Sequence, residues 1–278
     1  MQSYFQRIRT FETISFVTGF ALMAFELVAA RLLAPTIGSS VYVWTSVIGV
    51  IIAALSIGYA VGGKVADLRV KVSDVAWLLL LAGVSVLSAS LLAPSFLGGI
   101  VAYFPDARFQ GVVAPLILFA PTSFLLGIVS PYLVRLRVSS AKTSGESVGL
   151  LSALNSVGGI VGTFLTGFVF FGFLSTVQAL IVVASLLVGV SWLVVPREQT
   201  YRRIVMMGAF MVIGLLALFP APREGLVSTI DTATASYQIQ EGTLGSDSIR
   251  VLVTGPTGYQ SGIYTDGRND LVFFYTKK

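Results

Sequence analysis

The chain has 278 residues, 55% of them hydrophobic and 11% charged, with a mean hydropathy of +0.87 and a net charge of +5. A water-soluble domain cannot bury that much apolar surface, whereas a bilayer accepts it as helices of about 20 apolar residues each. With neither Cys nor His present, disulfides, thiolate metal sites, histidine acid–base catalysis, a Ser-His-Asp triad and His-ligated zinc are excluded.

Seven apolar stretches follow in chain order, at 11–33, 41–62, 75–97, 111–134, 148–171, 176–195 and 203–219. The last is the shortest. Arg7 and Arg9 ahead of the first stretch would also suit a cleaved signal peptide, but six further stretches favour a retained helix. Pro115, Pro121 and Pro131 predict a kinked or broken fourth helix. The fold class expected is therefore membrane all-α: a polytopic bundle of about seven transmembrane helices over residues 1–220, followed by a small antiparallel β-hairpin region over 221–278.

Loop charge sets an orientation. Eleven basic residues, from Arg7 and Arg9 through Lys64, Arg69 and Lys71 to Arg202 and Arg203, fall in alternate connections. The remaining connections carry only Arg31 and Arg108. The positive-inside bias places the N-terminus in the cytoplasm, and seven crossings place the C-terminal segment on the outer face. If the seventh stretch does not cross, that segment is cytoplasmic. The net positive charge is thus loop charge in a bilayer, and no nucleic-acid partner is expected.

Pro220 and Pro222 stop the last helix. Beyond them, 236–240, 249–254, 261–265 and 271–276 predict strands, with turns at 242–247, 255–258 and 266–270. Four short strands make a thin core that needs a partner layer. The chain stops directly after a strand, as the front part of a longer protein would.

Glu26 lies inside the first apolar stretch, where a carboxylate is costly and faces a bundle interior or a wet cavity. Arg31 is five residues on, roughly 140° round a helix, so the two do not stack. Glu26 either finds a partner on another helix or is protonated, and reads either as a coupling or substrate site or as half of a buried structural pair that fixes helix packing. Arg31, at the interface, would snorkel. Gly58 and Gly62, and Gly158 and Gly162, are spaced four apart for close helix contact, and Asn155 is placed to hydrogen-bond across the second. Gly158-Gly159-Ile160-Val161-Gly162 is not a phosphate loop, since no strand precedes it and no Lys-Ser/Thr follows.

Glu26-Leu27-Val28-Ala29-Ala30-Arg31-Leu32-Leu33-Ala34-Pro35, with Gly38-Ser39-Ser40, Val43-Trp44-Thr45 and Gly62-Gly63-Lys64-Val65-Ala66-Asp67, forms one motif. Gln260-Ser261-Gly262-Ile263-Tyr264-Thr265-Asp266-Gly267, with Asp270-Leu271-Val272-Phe273 and Tyr275-Thr276, forms a second. Together they resemble the membrane-bound spermidine synthase-like proteins, a major-facilitator-like region fused to a polyamine aminopropyltransferase. The resemblance implies transfer of an aminopropyl group from decarboxylated S-adenosylmethionine to a diamine in a complete relative. It also implies that Gln260 and Tyr275 line the substrate pocket, although packing within the hairpin explains them equally. The glycine-rich loop and acidic catalytic residues of that family are not found after residue 221, so no catalytic residue, no cofactor and no metal is assigned to this chain. Lys64, Asp67 and Arg69 resemble the cytoplasmic latch loop of major facilitators. Three functions follow as expectations: the membrane part of a synthase-like protein, a transporter or sensor of polyamine or another small cation with Glu26 as its anionic contact, or a membrane scaffold. A homo-oligomer is compatible with each.

Overall fold

The computed structural model describes residues 2–138, 144–194, 201, 207–208, 210–212, 214–215, 226–232, 236–255, 259–268 and 272, with side chains from residue 9 onward. Helix α1 spans Gln2–Ile37 and ends at Gly38, whose φ of 96° is the left-handed conformation that closes a helix. Ser40 then caps α2, Val41–Leu68, by accepting the Val43 N–H. Helix α3, Val72–Tyr103, is followed by α4, Ala107–Leu118, whose cap Asp106 accepts the Arg108 N–H at 2.8 Å.

Helix α5, Ala120–Arg137, departs from α4 at an angle of 52°. The break falls at Phe119, just ahead of Pro121, which supplies no N–H to continue the ladder from α4. Phe119 is fully buried and meets the Phe25 ring edge-on at 5.6 Å, so packing holds the bend in place. The break expected from the prolines is therefore present. Helix α6, Ser144–Leu165, runs into a π-helical turn at Thr166–Phe170 and one last turn, α7, Phe171–Phe173. Helix α8 spans Thr176–Val194.

Five stretches are long and apolar enough to cross a membrane: Arg9–Ile37, α2, α3, Ser144–Phe173 and α8. The bent pair α4–α5 makes a sixth if it counts as one span. The first six expected spans thus each have a helix. The seventh, 203–219, lies largely outside the described residues. Those described within it are helical, and Phe210 packs on the core.

Helix α1 packs most extensively against α6, α2 against α5, and α3 against α8. The first two seams are built alike. A Cβ on Gly58 would overlap the Phe124 carbonyl, and one on Gly62 would lie 2.8 Å from Ile128 Cα. A Cβ on Gly158 would overlap the Phe16 carbonyl, and one on Gly162 the Phe20 carbonyl. In each seam the contacts advance four residues on both helices together, so the paired helices run parallel.

This likeness extends to sequence. Gly49, Ala53, Ser56, Gly58, Val61 and Gly62 recur unchanged exactly 100 positions later in α6. Ser15-Phe16 and Gly19 of α1 recur 108 positions later as Ser123-Phe124 and Gly127 of α5. Helices α1 and α2 thus recur as α5 and α6, and exchanging the two pairs maps the α1–α6 seam onto the α2–α5 seam. The sequence reading noted the glycine pairs but not the repeat.

Four strands form one antiparallel sheet in the order β1-β2-β3-β4: Leu226–Asp231, Ser236–Leu244, Asp247–Val253 and Tyr259–Tyr264. Three of the expected strands are present, and β2 reaches four residues further than expected. The β2–β3 turn is therefore only Gly245-Ser246, with Gly245 at φ 66° in the position where a two-residue hairpin turn demands it. Strand β1 was not expected. The expected strand at 271–276 lies outside the described residues except Val272, which is not in a strand. Ile249, Val251 and Val253 alternate along β3 to face inward and pack with Val272 and Tyr264.

Candidate functional site

Polar side chains gather at three places on this scaffold. The first is the end of the bundle where α1 begins, α2 ends, α3 begins and α5 ends. There the last turns of α5 contact three other helices. Arg137 Nη1 donates to Glu12 Oε1 at 2.7 Å, and the pair is largely shielded, with 14% and 29% of the side chains exposed. Arg135 Nε lies 3.6 Å from Asp67 Oδ1 in a far more open pair. Tyr132 Oη lies 2.8 Å from Asp74 Oδ2 and 3.0 Å from the Arg69 carbonyl, so one proton serves two acceptors. Of the three residues expected to form a latch loop, Asp67 is paired to α5, Arg69 contributes its backbone, and Lys64 is exposed.

The second place is the opposite end of α1. Arg31, expected to snorkel, is instead 8% exposed at its side chain. Its Nη2 donates to the Thr232 carbonyl at 2.5 Å, and its Cζ lies 4.5 Å over the Phe171 ring. The ion pair to Asp231 Oδ1, at 3.9 Å, is long. Asp231 Oδ2 accepts the Thr176 N–H at 2.7 Å and so caps α8 from another element. The helix dipole at that N-terminus favours the carboxylate there. Strand β1 is thereby held between the end of α1 and the start of α8. Phe171 reaches Arg31 from directly after the π turn, whose wider winding sets where that residue faces. Arg31 Nε and Nη1 and Asp231 Oδ1 are buried without a hydrogen-bond partner, a desolvation cost that the bonds to Thr232 and Thr176, the ion pair and the Phe171 contact offset.

The third place is the α1–α6 seam. Glu26 is half-buried, and no ion pair or hydrogen bond reaches it among the described residues. Of the two alternatives expected for it, an interhelical partner is absent from those residues, and Arg31 is engaged elsewhere. Asn155 does contribute to the seam, but through its backbone. Its carbonyl is what a Cβ on Gly19 would strike, while its amide makes no hydrogen bond among the described residues. The hydroxyl of Thr166, where the π turn opens, is fully buried and unpartnered. Ser15 crosses the same seam, donating to the Leu151 carbonyl at 2.7 Å.

Of the residues expected to line a substrate pocket, Gln260 is exposed on β4, with Nε2 donating to Thr254 Oγ1 at 3.1 Å. Tyr275 lies outside the described residues. Thus the structure does not bring these two together. Among the described residues there is no group of three acidic side chains placed to hold a metal ion. Sequence reasoning missed Asp231, Phe171 and Thr166. The 100-residue repeat would have marked Thr166, which stands where the other copy has Ala66. Nothing in local spacing marks Asp231.

Comparison with known protein families, with curated proteins and with solved structures found no match.

Proposed function

We propose that this chain is an integral membrane protein whose helical bundle holds a synthase-like β-sheet in a fixed pose at its outer face. The observation that carries this reading is the Arg31–Asp231–Thr176 node. A sheet on a slack tether would need no buried guanidinium at the end of a helix, because each buried polar group costs stability unless it is paired. An outer face for the sheet is supported by where it docks. Arg31 lies in the last two turns of α1, at the end away from Arg9, Lys64, Lys71, Arg135 and Arg137, the residues that the positive-inside bias assigns to the cytoplasm. The resemblance to spermidine synthase-like proteins supplies the sheet's expected kinship and makes polyamines the substrate class to examine. A nucleotide-derived donor is not expected outside the cell, so the proposed role of the sheet is to bind or position rather than to catalyse.

The test uses the absence of native Cys, which makes each introduced thiol unique. In intact cells, Ser246→Cys on the β2–β3 turn should react with an impermeant maleimide, while Lys71→Cys should react only after lysis. The reverse labelling pattern sinks the proposal. Arg31→Ala in the same cells should make the sheet susceptible to added protease. Unchanged resistance would mean that the node does not hold it.

A further inference from the structure

The internal repeat provides a comparison within one molecule. The α1–α6 and α2–α5 seams share their glycine contacts, so positions where they differ are not dictated by packing alone. On the two helices that form the α1–α6 seam stand Thr18, Glu26, Asn155, Thr163 and Thr166. Their counterparts at the other seam are Leu126, Val134, Leu55, Gly63 and Ala66. The α2–α5 seam has polar side chains of its own, Thr122, Tyr132, Arg135 and Asp67, but each of these is partnered. Thr18 and Thr163 return their hydroxyls to carbonyls one turn back in their own helices, those of Ile14 and Gly159. Glu26 and Thr166 do not.

Helix geometry places those two on facing sides. Glu26 is seven residues after Gly19, which meets the Asn155 carbonyl. Thr166 is seven residues after Gly159, which meets Met23 Cγ at 3.0 Å. Seven residues fall within about 20° of two full turns, so Glu26 lies on the α6-facing stripe of α1 and Thr166 on the α1-facing stripe of α6. The seam's register, Phe16 with Gly158 and Phe20 with Gly162, sets Thr166 level with Ala24, about 3 Å along the axis from Glu26. The winding changes to i→i+5 at this same point, a feature frequent at binding sites.

An unpaired carboxylate within an apolar helix demands neutralisation. Arg31, the nearest cation along α1, is committed to Thr232, Asp231 and Phe171. One carboxylate across the seam from a neutral, unpartnered hydroxyl matches a single positive charge. A divalent ion would retain excess charge there and requires more acidic ligands than this seam has.

We propose that the α1–α6 seam, through Glu26 and Thr166, is a binding site for one monovalent cation, either an alkali metal ion or a protonated amine. This inference rests on the membrane reading of α1, which the labelling experiment tests separately, and is independent of where the sheet docks.

The test uses the full purified chain in detergent at neutral pH, with a bulky organic cation as the only counterion. Binding of radiolabelled sodium, and separately of radiolabelled methylammonium, is measured by equilibrium dialysis, with thermal unfolding as a parallel readout. Saturable one-to-one binding of one or both ions is expected, with an accompanying rise in the unfolding midpoint. Sodium alone would identify an alkali site, and methylammonium displaced by spermidine an amine site. Glu26→Gln, which keeps shape and removes charge, should abolish both effects. Thr166→Val should weaken binding about tenfold, as loss of one hydrogen-bonding oxygen does, and Thr166→Ser should restore it. Glu146→Gln, at an exposed position early in α6, should bind as the parent does. No binding to the parent chain, or equal binding by the parent and Glu26→Gln, overturns the proposal. The first result would mean that Glu26 is neutralised by a proton alone.

Discussion

Gly58 and Gly127 exclude a side chain from one another: a Cβ on Gly58 would stand 3.0 Å from Gly127 Cα, and a Cβ on Gly127 3.1 Å from Gly58 Cα. Helices that approach this closely gain dispersion contacts along their whole length, which matters most where lipid removes the hydrophobic drive to associate. The obstruction on both sides is backbone, which cannot rotate away as a long side chain can.

Gly58→Leu and Gly158→Leu should therefore each destabilise the bundle, by at least the ~1–3 kcal/mol typical of overpacking. Gly49→Ala and Gly149→Ala should not, because nothing lies within 4 Å of a Cβ at either position. Alanine there should be neutral or stabilising by up to about 1 kcal/mol, through helix propensity. Reversible denaturant unfolding in mixed micelles distinguishes the two pairs.

The cap that Asp231 provides to α8 should be separable from the ion pair with Arg31. Asp231→Asn keeps an oxygen for the Thr176 N–H but loses the charge. Asp231→Ala loses both. The alanine variant should cost about 1 kcal/mol more than the asparagine variant, the usual worth of a cap. Hydrogen exchange at the first-turn amides of α8 should rise in Asp231→Ala and stay near the parent value in Asp231→Asn.

The two ion pairs at the end of α5 should differ in worth. Glu12–Arg137 is shielded, whereas 78% of the Asp67 side chain and 52% of the Arg135 side chain are exposed. A double-mutant cycle should give a coupling of about 1 kcal/mol or more for the first and at most ~0.5 kcal/mol for the second. Only the second coupling should vanish at high salt.

Acid should loosen the turn after β4. The Arg268 backbone N–H, followed by its guanidinium, holds the Asp266 carboxyl below the ordinary aspartate range, and Asp247 and Asp266 together raise Arg268. A depressed folded value means that the stabilisation is complete above the ordinary pKa of about 3.9 and is lost as pH falls through the lower folded value. The amide chemical shift of Arg268 should therefore titrate below the ordinary aspartate range, and Asp266→Asn should remove that titration.

Hydropathy and turn chemistry made the gross plan legible in advance. Runs of apolar residues about as long as a bilayer is thick predict helices whatever their partners are, and six of the expected seven coincide with observed helices. The break in the fourth was legible because a proline without an N–H breaks a ladder locally. Three strands were legible from alternation between Gly-rich turns. Strand β1 was not, since Leu226-Val227-Ser228-Thr229-Ile230-Asp231 alternates weakly and becomes a strand by pairing with β2.

The sequence by itself determined where chain segments are apolar, where they turn, and which backbone sites have no Cβ, because these properties belong to single residues and near neighbours. Only the tertiary structure decided which faces meet. Arg31 finds Thr232 across 201 residues of chain, and Asp231 finds the start of α8 across 55. No local rule carries that information, since burying such groups is favourable only once several distant segments arrive together with the right partners. The same holds for the α1–α6 seam. Glu26 and Thr166 lie far apart in the chain, and it is the close approach permitted by Gly19 and Gly158 that brings their two helix faces together.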